Sequence, residues 1–347
     1  MKRKIIITMI LSFFIILLFG YIMSESNQNI PNREHEREEL IIYSSHPLNF
    51  IRPLIEEFES KTGIWVTVVS GGTGQLIETI EKEQDKPYAD ILWGGSLSTL
   101  KPQKYLFEEY YSKNEDVIQE EFKNKEGMLT KFSDVPSIIM VNMDLIGDVQ
   151  INGYMDLLNP KLKGKIAYCS PAVSSSAYEH LINMLYAMGN GNPEAGWDFV
   201  KQFCDNLDGN LLKSSTEVYK GVANGEFVAG LIFEEGAAAL VANGENIKIV
   251  YMKEGVLSTP DCVTIVKNAP HMENACEFID FVTGYEVQTM ITTELNRRSV
   301  RVDIGTPNYL KSKEEIKILH VDGELVYEMK KDWIQKFKEI YADINEK

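Results

Sequence analysis

The 347-residue sequence predicts an α/β protein with two domains. Three observations predict it. Residues 40–74 read as a complete βαβ unit. Strand-like and helix-like patterns then alternate through most of the chain. A length of 347 residues, 44% of them hydrophobic, is enough for two separate cores.

The N-terminus is set apart from this body. Met1-Lys2-Arg3-Lys4 is a basic cap, and residues 5–23 are apolar with only Thr8, Ser12 and Gly20 as mild interruptions. This is the pattern of a signal sequence or a membrane anchor. No Ala-x-Ala-like site and no cysteine follows it, and the run is longer than most signal-peptide apolar regions. The segment is therefore read as an uncleaved anchor, which places the body outside the cytoplasm under the positive-inside rule. Residues 24–39 are polar and charged and read as a linker.

The βαβ unit opens with an apolar strand running into the polar turn Ser44-Ser45-His46-Pro47. Phe50, Ile51, Leu54, Ile55 and Phe58 then recur at helical spacing. A second strand over residues 64–69 ends in Ser70-Gly71-Gly72-Thr73-Gly74. Further on, residues 89–93 read as a short buried strand ending in Gly94-Gly95-Ser96. Residues 137–142 and 165–169 are two more strands, the second leading to Ser174-Ser175-Ser176. A helix begins there, with Tyr178, Leu181, Ile182 and Leu185 on one face, and another covers residues 193–207 with Pro193 in its first turn. Residues 228–233 form a buried strand ending in Glu234-Glu235-Gly236. Residues 262–266 are a strand, residues 272–283 a helix, and Trp333, Phe337, Ile340 and Ile344 mark a C-terminal amphipathic helix that packs on a core. Cys169, Cys204, Cys262 and Cys276 sit among apolar neighbours without metal-ligand spacing, and read as small buried hydrophobes.

A formal charge of −16 argues against a nucleic-acid or polybasic-membrane role. It also means that any anion site must rely on local dipoles. Five polar loops follow strands, and most precede helices: Ser44-Ser45-His46, Gly71-Gly72-Thr73, Gly94-Gly95-Ser96, Ser174-Ser175-Ser176 and Ser214-Ser215-Thr216. In open α/β sheets ligands bind beyond the carboxyl ends of strands. Helix N-termini there offer unpaired N–H groups to an oxyanion, and glycines and small hydroxyls let it approach. The same serines and threonines also serve as ordinary N-caps. His46 is placed to orient its loop or to touch a ligand. Glu234 and Glu235 are placed to accept from sugar hydroxyls or to face a helix dipole. Arg297, Arg298 and Arg301 form a basic cluster, one member of which is a candidate phosphate partner, the others being read as solvated. Trp93 reads as core. No nucleophile elbow, Walker loop, HExxH or paired-carboxylate signature is present, so no enzyme, metal or cofactor is expected.

Several stretches, in order, resemble one family: YSSHPLNFIRPLIEEFESKTGIWVTVVSGGTGQL, PYADILWGG, LLNPKLKGKIAYCSPAVSSSAYEHL, KSSTEVYKGVANGEFVAGLIFEEGA and VTIVKNAPHMENACEFIDFVTGYEVQ. The chain is similar to extracellular solute-binding proteins of the type II periplasmic-binding fold, in the iron(III)/thiamine/phosphonate/hexose-phosphate branch. The resemblance implies two lobes, each a mixed sheet flanked by helices, closing on ligand about a two-strand hinge. Lobe 1 is expected from residues 40–140 and 256–347, and lobe 2 from residues 141–255, after an anchor over 1–23 and a linker over 24–39. Iron-binding members carry a Tyr-Tyr pair where this chain has Glu234-Glu235, which removes the hard phenolate donors suited to ferric iron. The pattern looks more like the hexose-phosphate-binding members. Ser44, Ser45, His46, Thr73, Ser175 and Glu234 carry over most directly; Gly72, Gly95, Ser174, Ser176, Ser214, Ser215 and Glu235 complete the candidate set. The resemblance implies capture of a phosphorylated small molecule for the permease of an ABC transporter, or alternatively for a membrane histidine kinase.

Overall fold

A computed structural model describes residues 38–345. The expected anchor and nearly all of the linker lie outside the described residues; Glu39, counted with the linker, is the first residue of a strand.

The described chain forms two sheets. The first contains β1 (Glu39–Ser44), β2 (Trp65–Ser70), β3 (Ile91–Ser96), β4 (Thr130–Asp134), β10 (Asp261–Ile265) and β11 (Arg298–Ser299), in the order β11-β4-β10-β3-β1-β2. β1 pairs in parallel with β2 and with β3, so Ser44, Ser70 and Ser96 end their strands on one edge. β10 runs antiparallel between β3 and β4. The second sheet contains β5 (Ser137–Asn142), β6 (Ile166–Cys169), β7 (Leu211–Leu212), β8 (Ala229–Phe233) and β9 (Ile247–Val250), in the order β7-β6-β8-β5-β9. β6 is parallel to β7 and β8, which gathers the loops after these three strands on one edge as well.

Hydrophobic spacing explains how each sheet is covered. The helix Leu48–Thr62 buries Phe50, Ile51, Leu54 and Phe58 on sheet 1, with Ile55 at the margin of the stripe. It stops at Gly63, whose φ of 76° lets its N–H cap the carbonyl of Glu59. Trp93 is fully buried and meets Phe132 and Phe278 edge-on at 5.2 and 5.1 Å, so it is core, as its neighbours in sequence suggest. Gly94 and Gly95, read as a loop, instead continue β3 with φ of 110° and 92°.

The chain crosses between the sheets at Val135-Pro136, passes back before Asp261, and the two crossing segments run antiparallel: Pro136 bridges Ser258, and Ser137 donates its N–H to Leu257 O at 2.9 Å. The turnover thus falls a few residues earlier than residue 140. A third segment then returns to sheet 2, where Val256 bridges Ile318. This corrects the expected assignment of all of residues 256–347 to lobe 1. The C-terminal helix Lys330–Asn345 packs on the core of sheet 2, with Phe337 6.0 Å from Tyr168 and Trp333 6.5 Å from Tyr186. Its apolar stripe was plain in the sequence, but a stripe does not say which core it meets. All four cysteines are free thiols, Cys276 being only half-buried.

Candidate functional site

Three loops of lobe 1 are drawn together at the carboxyl ends of β1, β2 and β3. Ser44 is fully buried. Its Oγ donates to Trp93 O at 3.0 Å and accepts the N–H of His46 at 3.2 Å. That hydroxyl builds the turn and is not free for a ligand, which corrects its place in the candidate set. Ser45 and His46 lie against Gly94: a methyl group on Gly94 would come within 2.5 Å of Ser45 Oγ and 3.2 Å of His46 Nε2. A methyl on Gly95 would sit 2.6 Å from Thr73 Cγ2. The two glycines are therefore needed both for their positive φ and for this close approach. Gly72 precedes the helix Thr73–Lys82 and Pro47 precedes Leu48–Thr62, and neither helix start has a side-chain cap.

In lobe 2 the serines divide. Ser174 and Ser214 are caps, accepting from Ala177 N at 3.3 Å and Glu217 N at 3.1 Å. Ser214 is fully explained by that role. Ser174 does more, because its Oγ lies 2.7 Å from Ser215 Oγ. This bond sets the N-termini of two helices, Ser175–Met188 and Ser215–Ala223, side by side. Ser175 is exposed at the first position of its helix, while Ser176 is buried and its Oγ has no partner among the described residues.

The acidic pair after β8 is committed to arginines of lobe 1. Glu234 is 2% exposed. Its carboxylate accepts from Arg298 Nε at 2.6 Å and Nη2 at 2.8 Å and from Tyr251 Oη at 2.5 Å. Arg298 also donates to Lys311 O at 2.6 Å. Glu235 pairs with Arg297, which in turn holds Asp261, donates to Ser133 Oγ at 3.1 Å and lies 4.3 Å above the Phe50 ring. Arg301 pairs with Asp303 and with Thr283 O. All three arginines are buried, against the expectation of solvated side chains. Tandem arginines at one sheet edge and tandem glutamates at the start of a helix on the other meet across the lobes, so the Glu234 carboxylate, expected to accept from sugar hydroxyls, is engaged by Arg298 and Tyr251. A further cross-lobe contact is Glu179, buried in the Ser175–Met188 helix, which accepts from Ser98 Oγ at 2.7 Å and Thr259 Oγ1 at 3.0 Å; burial raises its pKa against those bonds. An acid on an otherwise apolar helix stretch was the signal that could have found it.

His46 is 7% exposed, stands 5.2 Å from Phe50 and 5.7 Å from Trp93, and its Nε2 has no hydrogen-bond partner among the described residues. Burial pushes its pKa from 6.5 down to about 3, helped by Arg297 and opposed by Asp261. His180, between Tyr154 Oη at 2.9 Å and Ile232 O at 3.0 Å, falls to about 4 through burial, opposed by the bond to Ile232. Both imidazoles are neutral in the folded protein but take up protons near pH 6.5 when the chain unfolds. The unfolded state therefore binds more protons between pH 6.5 and these lowered values. The stability they contribute is complete above pH 6.5 and is lost as pH falls toward 4 and 3. The midpoint of urea unfolding should drop measurably between pH 7 and pH 5. A flat profile over that range would show that the two side chains are solvated.

Two α/β lobes joined by paired crossing segments, with loops from both meeting at the junction, define a two-lobed binding protein. The chain belongs to the family of bacterial extracellular solute-binding proteins, whose family model matches residues 88–322. Iron uptake protein A1 of Synechocystis is 25% identical over 296 residues, 80% of this chain and 81% of that protein. Among solved structures, AfuA from Actinobacillus pleuropneumoniae, with exogenous fructose-6-phosphate bound, superposes with a TM-score of 0.78 at 24% identity, covering 88% of this chain and 99% of that one. A two-component system protein that mediates signal transduction is 28% identical with a TM-score of 0.71, covering 88% of this chain and 100% of its own.

Proposed function

We propose that this solute-binding protein captures a phosphorylated small molecule, best read as a hexose phosphate, between its lobes and delivers it to the permease of an ABC transporter. One observation carries the reading: the Ser174–Ser215 bond that sets two helix N-termini side by side, with the unpartnered Ser176 hydroxyl beside them. Two helix N-termini side by side favour an anion even in a chain of charge −16. The opposing lobe meets the rest of the ligand with the Ser45, His46 and Thr73 side chains. Ligand binding then strengthens the cross-lobe closure already made by the arginine–glutamate pairs, and the closed surface is what a membrane partner reads. Ferric iron fits less well, because the carboxylates after β8 are neutralised by Arg297 and Arg298 rather than free to serve as hard donors. Similarity to the bound fructose-6-phosphate complex of AfuA agrees with this choice. The test is a thermal-shift panel of glucose-6-phosphate, aminoethylphosphonate, inorganic phosphate, free glucose and ferric citrate. At about a hundred times Kd a true ligand adds ~2.7 kcal/mol, a rise of a few degrees. The sugar phosphate should give it and free glucose should not; a shift with ferric citrate alone would overturn the reading.

A second reading concerns the partner. The 28% identity to a two-component signalling protein favours a membrane histidine kinase as the receiver of the closed form, and the expected N-terminal tether suits a fixed sensor equally well. Ligand-dependent pull-down of the kinase's extracytoplasmic domain, compared with that of a permease, separates the two.

A further inference from the structure

Asp261 opens β10, and the strand is irregular at that residue on both sides. Its register shifts against β3 between Asp261 and Val263, and against β4 between Asp261 and Cys262. A bulge re-aims a side chain, and here it stands opposite Ser96, at the edge where β1 and β3 deliver their loops. Asp261 Oδ2 lies 4.0 Å from His46 Nε2, the buried ring nitrogen that has no hydrogen bond. Asp261 and Glu235, one from each lobe, share the single guanidinium of Arg297. Two carboxylates on one cation leave this end of the cleft acidic. It is therefore a poor place for a phosphate and a good one for hydrogen-bond donors. The helix N-termini at Ser175 and Ser215 have the opposite polarity.

We infer that Asp261 is a specificity-determining residue: with His46 it accepts and orients the hydroxyl groups of the ligand's sugar portion, so that the cleft selects a polyhydroxylated phosphomonoester over a bare phosphate. This rests on the organophosphate reading above. The two ends of the cleft then read the two ends of one molecule, and the shared Arg297 ties that reading to closure of the lobes.

Titration calorimetry with glucose-6-phosphate, ethyl phosphate and inorganic phosphate tests it. The wild-type protein should prefer glucose-6-phosphate to ethyl phosphate by about ten- to a hundredfold, the range for hydrogen bonds to a charged group. Asp261→Asn, which keeps the side-chain volume and leaves Arg297 its Glu235 partner, should lose most of that preference while binding ethyl phosphate and inorganic phosphate as before. Equal loss for all three ligands, or an unchanged preference, would overturn the inference. Should the variant misfold, the wild-type comparison still decides, because equal affinity for glucose-6-phosphate and ethyl phosphate contradicts a hydroxyl-reading end. Wild-type protein that binds none of the three contradicts the organophosphate reading itself, and this is seen before any variant is made.

Discussion

Replacing Arg298 with alanine is expected to destabilise the protein by ~3–5 kcal/mol, the range for breaking a buried ion pair from one side. Glu234 would keep its place, 2% exposed at the start of the helix Glu234–Ala242, but would lose its two-pronged guanidinium partner and be left with Tyr251 alone. The Lys311 carbonyl would lose a donor as well. Urea unfolding monitored by circular dichroism measures the loss. A double replacement, Arg298→Met with Glu234→Leu, should recover most of it, since an apolar pair of similar volume avoids the desolvation of both charges. A single variant within ~1 kcal/mol of wild type would mean that the pair is solvated and does not hold the lobes together.

The second large effect concerns binding alone. Ser175→Glu places a carboxylate at the first position of a 14-residue helix, where the dipole favours it, so folding stability should stay within ~0.5 kcal/mol or rise. The same charge would occupy the point where the phosphate is proposed to sit. Affinity for glucose-6-phosphate should fall more than about a hundredfold, since like charges at close range repel strongly where water is excluded. Retained affinity in calorimetry would show that the Ser174–Ser176 loop only caps its helix. Ser214→Ala is the control: its hydroxyl caps Glu217 N, so it should cost about 1 kcal/mol of stability and leave affinity nearly unchanged.

Much of the fold was legible because periodicity reports it directly. The βαβ unit at the start of the body, β5, and the helix beginning at Ser175 all fell where spacing put them. Segments that carry no period were lost: β11 is two residues long, and Gly94-Gly95 looks like a turn although the strand continues through it at positive φ. The destination of the C-terminal helix was hidden for a different reason. Trp333 and Phe337 show that one face is apolar, but only long-range packing decides that Tyr168 and Tyr186 receive it.

The site was legible in residue type and less so in role. Seryl loops at strand ends stand out in the sequence, yet one pattern covers three outcomes: Ser44 bracing a turn, Ser214 capping a helix, and Ser176 buried with no hydroxyl partner among the described residues. Sequence spacing cannot separate these, because each depends on which atom lies opposite. The same holds for Glu234 and Arg298, which stand 64 residues apart in the chain and bond face to face. Asp261 lies one residue before the strand read at 262–266 and was not among the candidates; its irregular pairing and its 4.0 Å approach to His46 depend on contacts distant in sequence.

A crystal structure with glucose-6-phosphate bound shows where the phosphate sits. The phosphate should lie at the paired helix N-termini, its oxygens within hydrogen-bond reach of Ser175, Ser176 and Ser215, with the sugar hydroxyls toward Asp261 and His46. A phosphate seated outside the cleft, or a site that fills only with ferric iron, would contradict this placement.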